Sequence, residues 1–176
     1  MKQSPSPFVV CVHYRQAQRA DIPHMARIWG IEEGEGGTSE ERMMAYFDGQ
    51  LHPQHALLPR VIFVAHEGDA LIGYIAGHLS RRFACDGELE WIYVHPEQRR
   101  SGIGSNLLLR LGVWFKEQYA LRICVNVAPA NRPAIEFYIR HGAAKMNQHW
   151  LLWNDFAAAI EKSNGEISRT SASDLK

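Results

Sequence analysis

Hydrophobic and polar residues along the chain follow two different periods, which predict both strands and helices. Residues 88–94 alternate and are rich in aromatic and β-branched side chains, which is typical of a strand. Residues 103–117 carry apolar side chains at helical spacing, which predicts an amphipathic helix. The same criteria predict strands over residues 8–14, 61–65, 71–79, 121–127 and 149–153. They also predict helices that begin after Asp21, Thr38 and Asn131, the last of which ends at Gly142, and a short helix over residues 154–162. The two prolines in residues 52–59 predict a loop there.

The order of these elements predicts how the sheet is connected. Short connections between the middle strands favour antiparallel pairing, whereas helical crossovers between the later strands favour parallel pairing. The expected fold class is therefore α/β (α+β), a single domain with a mixed, mostly antiparallel sheet and helices on both faces. Residues 8–155 are assigned to this domain, residues 1–7 to a flexible leader, and residues 156–176 to a short helix with a disordered tail.

Composition narrows the class of partner. The chain has 176 residues, 46% of them hydrophobic, and a formal net charge of zero, so a sizeable core is expected and neither nucleic acid nor a membrane is predicted as a partner. No run of about 18 apolar residues and no basic-then-apolar leader is visible, so a cytoplasmic location is expected. Cys11 and Cys124 lie in apolar runs, where buried free thiols are expected.

The connection between the strand at 88–94 and the helix at 103–117 contains Arg99, Gly102 and Gly104. A helix N-terminus after a glycine-containing loop offers unpaired N–H groups and a positive dipole end to an anion. Glycine also removes the Cβ atoms that would keep a phosphate away from those amides. A simpler alternative is a loop with one glycine in a left-handed conformation. The Lys-Ser/Thr of a P-loop and the G-x-G-x-x-G spacing are absent, which excludes two common phosphate loops.

Three motifs then occur in a specific order along the chain. They are Leu89-Glu90-Trp91-Ile92-Tyr93-Val94-His95-Pro96, Arg99-x-x-Gly102-x-Gly104, and Asn131-x-x-Ala134-x-x-Phe137-Tyr138. With them, the chain resembles the GNAT superfamily of acetyl-CoA-dependent N-acyltransferases over roughly residues 8–155. Gly142-Ala143 stands where that family often has Gly-Phe.

The resemblance implies that acetyl-CoA is the acyl donor and lies where two central strands separate. The residues expected at its pyrophosphate are Arg99, Arg100, Ser101, Gly102, Ile103, Gly104 and Ser105. Those expected along its pantetheine arm are Ile92, Tyr93 and Val94. Asn131 is expected to reach the arm, and Tyr138 the sulfur.

Acetyl transfer to an amine requires a neutral nucleophile and a proton for the departing thiolate. Deprotonating an amine of pKa near 10.4 at pH 7 costs about 4.6 kcal/mol, so a lysine-like acceptor needs a base. Glu88 and Glu90 project from one face of a strand, and the alternative is that both are solvated. Glu90 is favoured for its deeper position, although Glu88 stands where some members of the resembled family place their base. Tyr138 is the candidate acid, with a structural tyrosine as the alternative.

The resemblance implies that the first two helices and the adjoining loops cover the acceptor side. Glu32 and Glu33 are candidates for attracting a cationic amine, unless they belong to a solvated acidic loop. Arg81 and Arg82 favour an acceptor carboxylate instead. The nine histidines show no metal-ligand spacing, and no metal is predicted.

The leading hypothesis is an N-acetyltransferase that acts on a primary amine by direct attack in a ternary complex. One alternative is a non-catalytic acyl-CoA-binding or sensing module. Another is a protein-directed acetyltransferase that acts on N-terminal or lysine amines. The expected partner is a small-molecule or peptide amine acceptor, and a homodimer is left open.

Overall fold

This computed structural model describes residues 11–33 and 40–173, and it describes their side chains except at 32, 33 and 166–173. The strands are β1 (Val12–Gln16), β2 (Ala56–Glu67), β3 (Ala70–Ser80), β4 (Gly87–Val94), β5 (Ile123–Asn126), β6 (Ala144–Lys145) and β7 (Trp150–Trp153). The α-helices are α1 (Ile22–Glu33), α2 (Glu40–Phe47), α3 (Ile103–Glu117), α4 (Arg132–Arg140) and α5 (Phe156–Ser173).

The described strands form one sheet in the order β1-β2-β3-β4-β5-β7-β6. β4 and β5 are parallel, and the other neighbouring pairs are antiparallel. α3 connects β4 to β5, and a helical crossover of this kind brings two strands into a sheet in the same direction. The predicted mixed, mostly antiparallel sheet is confirmed. None of the described helices is long and apolar enough to cross a membrane.

Apolar side chains bury both faces of the sheet, as the sequence predicted. On one face, called the α3 face, the buried cluster includes Ile75, Leu89, Leu107, Leu111 and Phe115. On the other, called the α1–α2 face, it includes Met25, Met43, Tyr46, Tyr74 and Trp91. Full burial of one such side chain contributes about 1.5–3 kcal/mol, so the two clusters hold the helices on the sheet.

Two local signals at the ends of α4 are confirmed. Asn131 caps the helix, and its side-chain oxygen accepts a hydrogen bond from the N–H of Ala134 at 3.2 Å. Gly142 follows the helix with a φ of 87°, a conformation that glycine adopts without strain.

The structure differs from the predicted elements in β2. This strand begins at Ala56, within the segment 52–59 that the two prolines predicted to be a loop. Its register to β3 skips from Leu57 to Arg60, so Pro59 falls in an irregularity where its missing N–H breaks no ladder bond.

The C-terminal helix also differs from the prediction. α5 continues to Ser173 instead of ending at 162, so a disordered tail does not begin there. Phe156 and Ile160 are fully buried in the core and hold the first turns of α5 in place. Extending a helix that has already formed costs little free energy, because each added residue gains a backbone hydrogen bond. β6 was not predicted from the sequence, since it has only two residues.

Some expectations fall outside the described residues, namely the leader at 1–7, the start of the first strand at 8–10, the cap at Thr38, and residues 174–176. Cys124 is buried, as predicted, whereas Cys11 is exposed and the expectation of a buried thiol there was wrong. Cys11 precedes the first described strand, so the sheet does not cover it.

Candidate active site

The parallel strands β4 and β5 separate after a short common stretch. Their register ends where Leu89 meets Val125. Beyond that point β4 continues beside β3 to Val94, while β5 stays paired with β7 to Asn126. One edge of β4 therefore faces an opening, with no described strand beside it.

The backbone groups of Ile92 and Val94 point into this opening. The N–H of His95 donates to the carbonyl of Ile72 in β3 at 2.8 Å. Since successive residues of a strand direct their backbone groups to opposite sides, those of Val94 and Ile92 face away from β3. The Arg99 side chain returns to this edge, where its Nε donates to the Val94 carbonyl at 2.9 Å.

Tyr93 has a different position from its two neighbours. It lies two residues before His95, whose N–H bonds to β3, so the backbone groups of Tyr93 also face β3 instead of the opening. Its ring is buried on the α1–α2 face, with the centroid 5.7 Å from that of Trp29. The structure thus separates Tyr93 from the other residues that were predicted along the pantetheine arm.

The turn after β4 presents a row of backbone N–H groups. Arg100 and Gly102 have left-handed φ angles of 64° and 85°, and α3 begins at the next residue, Ile103. The N–H groups in the first turn of a helix have no intrahelical acceptor. Within residues 11–33 and 40–173, no group accepts a hydrogen bond from the amides of residues 100–105. The left-handed glycine that the sequence allowed as an alternative is present at Gly102, and it is compatible with an anion site because it precedes the unpaired amides of the first turn of α3.

Gly104 has a packing role that the sequence did not indicate. A Cβ atom at this position would lie 3.1 Å from Cζ of Phe137 and 3.9 Å from a methyl carbon of Val94. Its absence therefore lets the start of α3 approach α4 closely, and the N–H of Gly104 remains part of the turn.

Tyr138 lies in α4 and belongs to the buried cluster of the α3 face. Only 5% of the residue is exposed, and its ring meets that of Trp153 edge-on with centroids 5.8 Å apart. Burial raises the pKa of the phenol, which therefore stays protonated at neutral pH. The group can donate a proton to a thiolate. Asn131, at the exposed N-terminus of the same helix, uses its side-chain oxygen for the cap.

His141 links the turn to α4, and sequence reasoning missed this residue as part of the site. Its Nδ1 lies 2.8 Å from the carbonyl of Phe137, and its Nε2 lies 2.9 Å from Oγ of Ser105. Burial lowers the pKa of His141, so the ring is neutral and its Nδ1–H donates to the carbonyl. Nε2 then accepts the Ser105 hydroxyl. No local signal could reveal a contact between residues 36 positions apart.

Glu88 and Glu90 come together with His78 on the α1–α2 face. One polar atom from each of the three lies within 4.8 Å of the others. The register of β3 to β4 skips Glu90, since Gly77 faces Leu89 and Ala76 faces Trp91. Alternation along the strand already directs Glu88 and Glu90 to one face, and the extra residue in this bulge brings Trp91 to that face as well. Burial and then the charge of Glu88 raise the pKa of Glu90 to about 7.

Of the residues predicted to bind the acceptor, one lies at the carboxylate pair and one is exposed to solvent. Arg82 donates from Nε to Glu88 Oε2 at 3.1 Å, and its guanidinium lies 4.5 Å from the ring centroid of Trp150, so it is part of the carboxylate site. Arg81 is exposed beside it. The side chains of Glu32 and Glu33 lie outside the described part of the chain. His78, Glu88 and Glu90 lie close enough together to ligate a metal ion, but Arg82 already supplies a positive charge to Glu88. The absence of a metal stays a prediction.

Two surface cavities flank the connection from β6 to β7. One, of about 470 Å³, is lined by Phe83, Asn126, Asn147, Gln148, His149 and Trp150. The other, of about 630 Å³, is lined by Pro129, Ile135, Lys145, Met146, Asn147, Gln148 and Leu151. Neither includes the turn at residues 99–105. The 470 Å³ cavity is lined by Trp150, whose ring contacts Arg82, and Arg82 in turn bonds Glu88. This cavity is therefore the nearer of the two to the carboxylate pair by contact.

A sheet that opens between two parallel strands, beside a turn with unpaired backbone amides, is a shape that can hold an extended, anionic ligand. The acetyltransferase (GNAT) family matches residues 25–143, and the chain belongs to this family. The resemblance that the motifs indicated is confirmed. No curated protein sequence matches the chain closely enough to count as a relative.

Solved structures of acetyltransferases share the fold. Ard1 from Thermoplasma volcanium is 18% identical with a TM-score of 0.64, and the match covers 80% of this chain and 94% of that chain. The PaiA N-acetyltransferase from Thermoplasma acidophilum in complex with coenzyme A is 18% identical with a TM-score of 0.63, covering 82% and 99%. YncA from Salmonella typhimurium with its cofactor acetyl-CoA is 18% identical with a TM-score of 0.62, covering 82% and 94%.

Proposed function

We propose that this chain transfers an acetyl group from acetyl-CoA to a primary amine by direct attack in a ternary complex. The opening between β4 and β5 is the observation that carries this proposal. Tyr138 belongs to the α3 face of the sheet, and Glu90 lies with His78 and Tyr46 on the opposite face. An opening in the sheet lets a donor on one side meet an acceptor on the other.

The residues around the opening fit coenzyme A. The free amides of residues 100–105 suit a pyrophosphate, since a charge-assisted hydrogen bond contributes about 1.5–3 kcal/mol. The backbone groups of Ile92 and the N–H of Val94, on the edge of β4 that no described strand pairs with, suit the amide groups of an extended pantetheine arm. When bound, acetyl-CoA supplies the activated acetyl group and a leaving thiolate. The complexes that PaiA and YncA form with coenzyme A and acetyl-CoA support this assignment.

Two side chains handle the protons of the reaction. Glu90 accepts a proton from the ammonium of the acceptor, and the amine then forms the new C–N bond. Tyr138 donates its proton to the sulfur as the C–S bond breaks, and the second proton that the nitrogen loses on becoming an amide restores the phenol. The proton taken by Glu90 is released to solvent. The net reaction converts an ammonium and a thioester into an amide, a thiol and one proton. A carboxylate with a pKa near neutrality is suited to this work, which favours an enzyme over a binding module.

An amine panel tests the proposal. We expect wild-type protein to release thiol from acetyl-CoA with at least one amine among polyamines, amino sugars, amino acids and peptides. Each product should carry one acetyl group, measured by mass spectrometry. Tight coenzyme A binding without turnover on any of these amines would favour the non-catalytic binding module. Turnover confined to peptides would favour the protein-directed acetyltransferase.

Replacing Gly102 by alanine should weaken coenzyme A binding about 10-fold or more. The left-handed φ of 85° disfavours a side chain, and relaxation of the turn would misdirect at least one amide that bonds the pyrophosphate. Isothermal titration calorimetry with coenzyme A measures the effect.

Gly68 provides a matched control for this variant. It has a φ of 60° in the turn between β2 and β3, and no atom lies within 4 Å of a Cβ built there. Gly68→Ala should lower the free energy of unfolding by about 1 kcal/mol, as Gly102→Ala does, without changing coenzyme A affinity. Equal affinities for the two variants would remove this turn from the binding site.

A further inference from the structure

The two carboxylates of the proposed site have different surroundings. Glu88 is 4% exposed, and its Oε2 lies 3.1 Å from Arg82 Nε and 3.4 Å from Ser80 Oγ. His78 Nε2 lies 3.8 Å from the same oxygen. Glu90 is half-buried, and no group among the described residues donates a hydrogen bond to it. Donors therefore surround Glu88 alone.

Tyr46 determines which nitrogen of His78 carries the hydrogen. Burial, with Arg60 and Arg82 nearby, lowers the pKa of His78 to about 4, so the ring is neutral. Its Nδ1 lies 3.0 Å from the Tyr46 hydroxyl, and its Nε2 has no hydrogen-bond partner among the described residues. A lone pair on Nε2 would face a carboxylate and be repelled. The favourable arrangement has the Tyr46 hydroxyl donating to Nδ1 and the Nε2–H directed at Glu88.

We propose that Glu88 is a positioning residue that stays ionised and thereby sets the basicity of Glu90. Arg82 and the Tyr46–His78 pair hold the charge on Glu88. Glu90, which has no such donors, is the carboxylate that exchanges a proton with the acceptor. The inference rests on the proposed function and adds to it an order of ionisation within the carboxylate pair.

The charges around Glu90 support this order. The negative charge of Glu88 lies within 4.8 Å and disfavours a second negative charge. Arg42 of α2, Arg82, and Arg60 of β2 act in the opposite direction. His78 and Tyr46 contribute no net charge, because both are neutral at pH 7. Burial also raises the pKa of Glu88, but the hydrogen bonds from Arg82 and Ser80 and the charges of Arg82 and His55 oppose this rise. The pair therefore titrates as a coupled system in which Glu88 ionises first.

The order of ionisation can be measured without any substitution. In wild-type protein labelled with ¹³C at the glutamate carboxyls, Glu88 should titrate at lower pH than Glu90. Histidine ¹⁵N spectra should show the Nε2–H tautomer at His78. A Glu88 signal that titrates above that of Glu90 would overturn the inference, and an Nδ1–H tautomer would overturn the part given to Tyr46 and His78.

The causal test compares two variants that remove one negative charge each. Glu88→Gln should lower the pH at which Glu90 titrates by about one to two units. Glu117→Gln, an exposed change at the end of α3, should not shift it. The acidic limb of the kcat/KM profile should move by the same amount as the NMR titration. An unchanged Glu90 titration in Glu88→Gln would overturn the inference.

These readouts also separate the inference from the proposed function. If wild-type protein acetylates no amine although Glu88→Gln shifts the Glu90 titration, the proposed function fails and the order of ionisation stands. If amines are acetylated but the titration does not move, the proposed function stands and Glu88 has no part in setting the basicity of Glu90.

Discussion

Replacing Tyr138 by phenylalanine should lower kcat about 100-fold, because loss of a positioned general acid typically costs 10²–10⁴-fold. The ring stays in place among Phe137 and Trp153, so the KM for acetyl-CoA should change little. Burial raises the pKa of the phenol, and wild-type protein should therefore show no alkaline limb from this group in an ordinary assay range. Single-turnover kinetics at saturating acetyl-CoA measure the chemical step directly.

Tyr74 supplies the matched control for this change. It is fully buried on the α1–α2 face, and its hydroxyl has no hydrogen-bond partner within the described residues. Tyr74→Phe therefore removes a buried hydroxyl without touching the proposed chemistry, and kcat should be unchanged. If Tyr138→Phe also leaves the single-turnover rate unchanged, the thiolate takes its proton from another donor.

Replacing Glu90 by glutamine should lower kcat/KM at pH 7 about 100-fold for a lysine-like acceptor. Such an amine costs about 4.6 kcal/mol to deprotonate at pH 7, whereas an amine of pKa near 8 costs about 1.4 kcal/mol. The loss should accordingly be smaller for the less basic acceptor. Burial and the charge of Glu88 raise the pKa of Glu90 to about 7, so the wild-type rate should fall as the pH drops below that value.

The pH dependence distinguishes a lost base from a damaged site. In Glu90→Gln the acidic limb near pH 7 should disappear, and the deficit should shrink as rising pH deprotonates the amine in solution. Glu117→Gln, which removes an exposed carboxylate on α3, should reproduce the wild-type profile. A deficit that is constant from pH 6 to pH 9 would mean that Glu90 positions the acceptor and does not accept its proton.

Elements that depend on neighbouring residues were predictable from the sequence. The cap at Asn131, the helix end at Gly142 and the turn at residues 99–105 all follow from local backbone preferences, and the structure has the first two as predicted. The bulge that places Pro59 inside β2 was not predictable, because the accommodation depends on the pairing with β3. The length of α5 was missed for a similar reason, since burial of Phe156 and Ile160 anchors it.

In the candidate site, too, the features set by neighbouring residues were predictable and those set by distant contacts were not. The sequence by itself determined the family and the turn with its left-handed glycine, since these depend on residues close together in the chain. It also predicted Glu88 and Glu90 on one face of a strand and favoured Glu90 as the base, but it could not show which groups surround either carboxylate. Only the tertiary structure decided that Arg82 and His78 surround Glu88, and that His141 reaches Ser105. The physical reason is that the basicity of a carboxylate depends on its burial and on nearby charges, which other strands and helices supply. The local sequence pattern does not specify which distant residues come into contact.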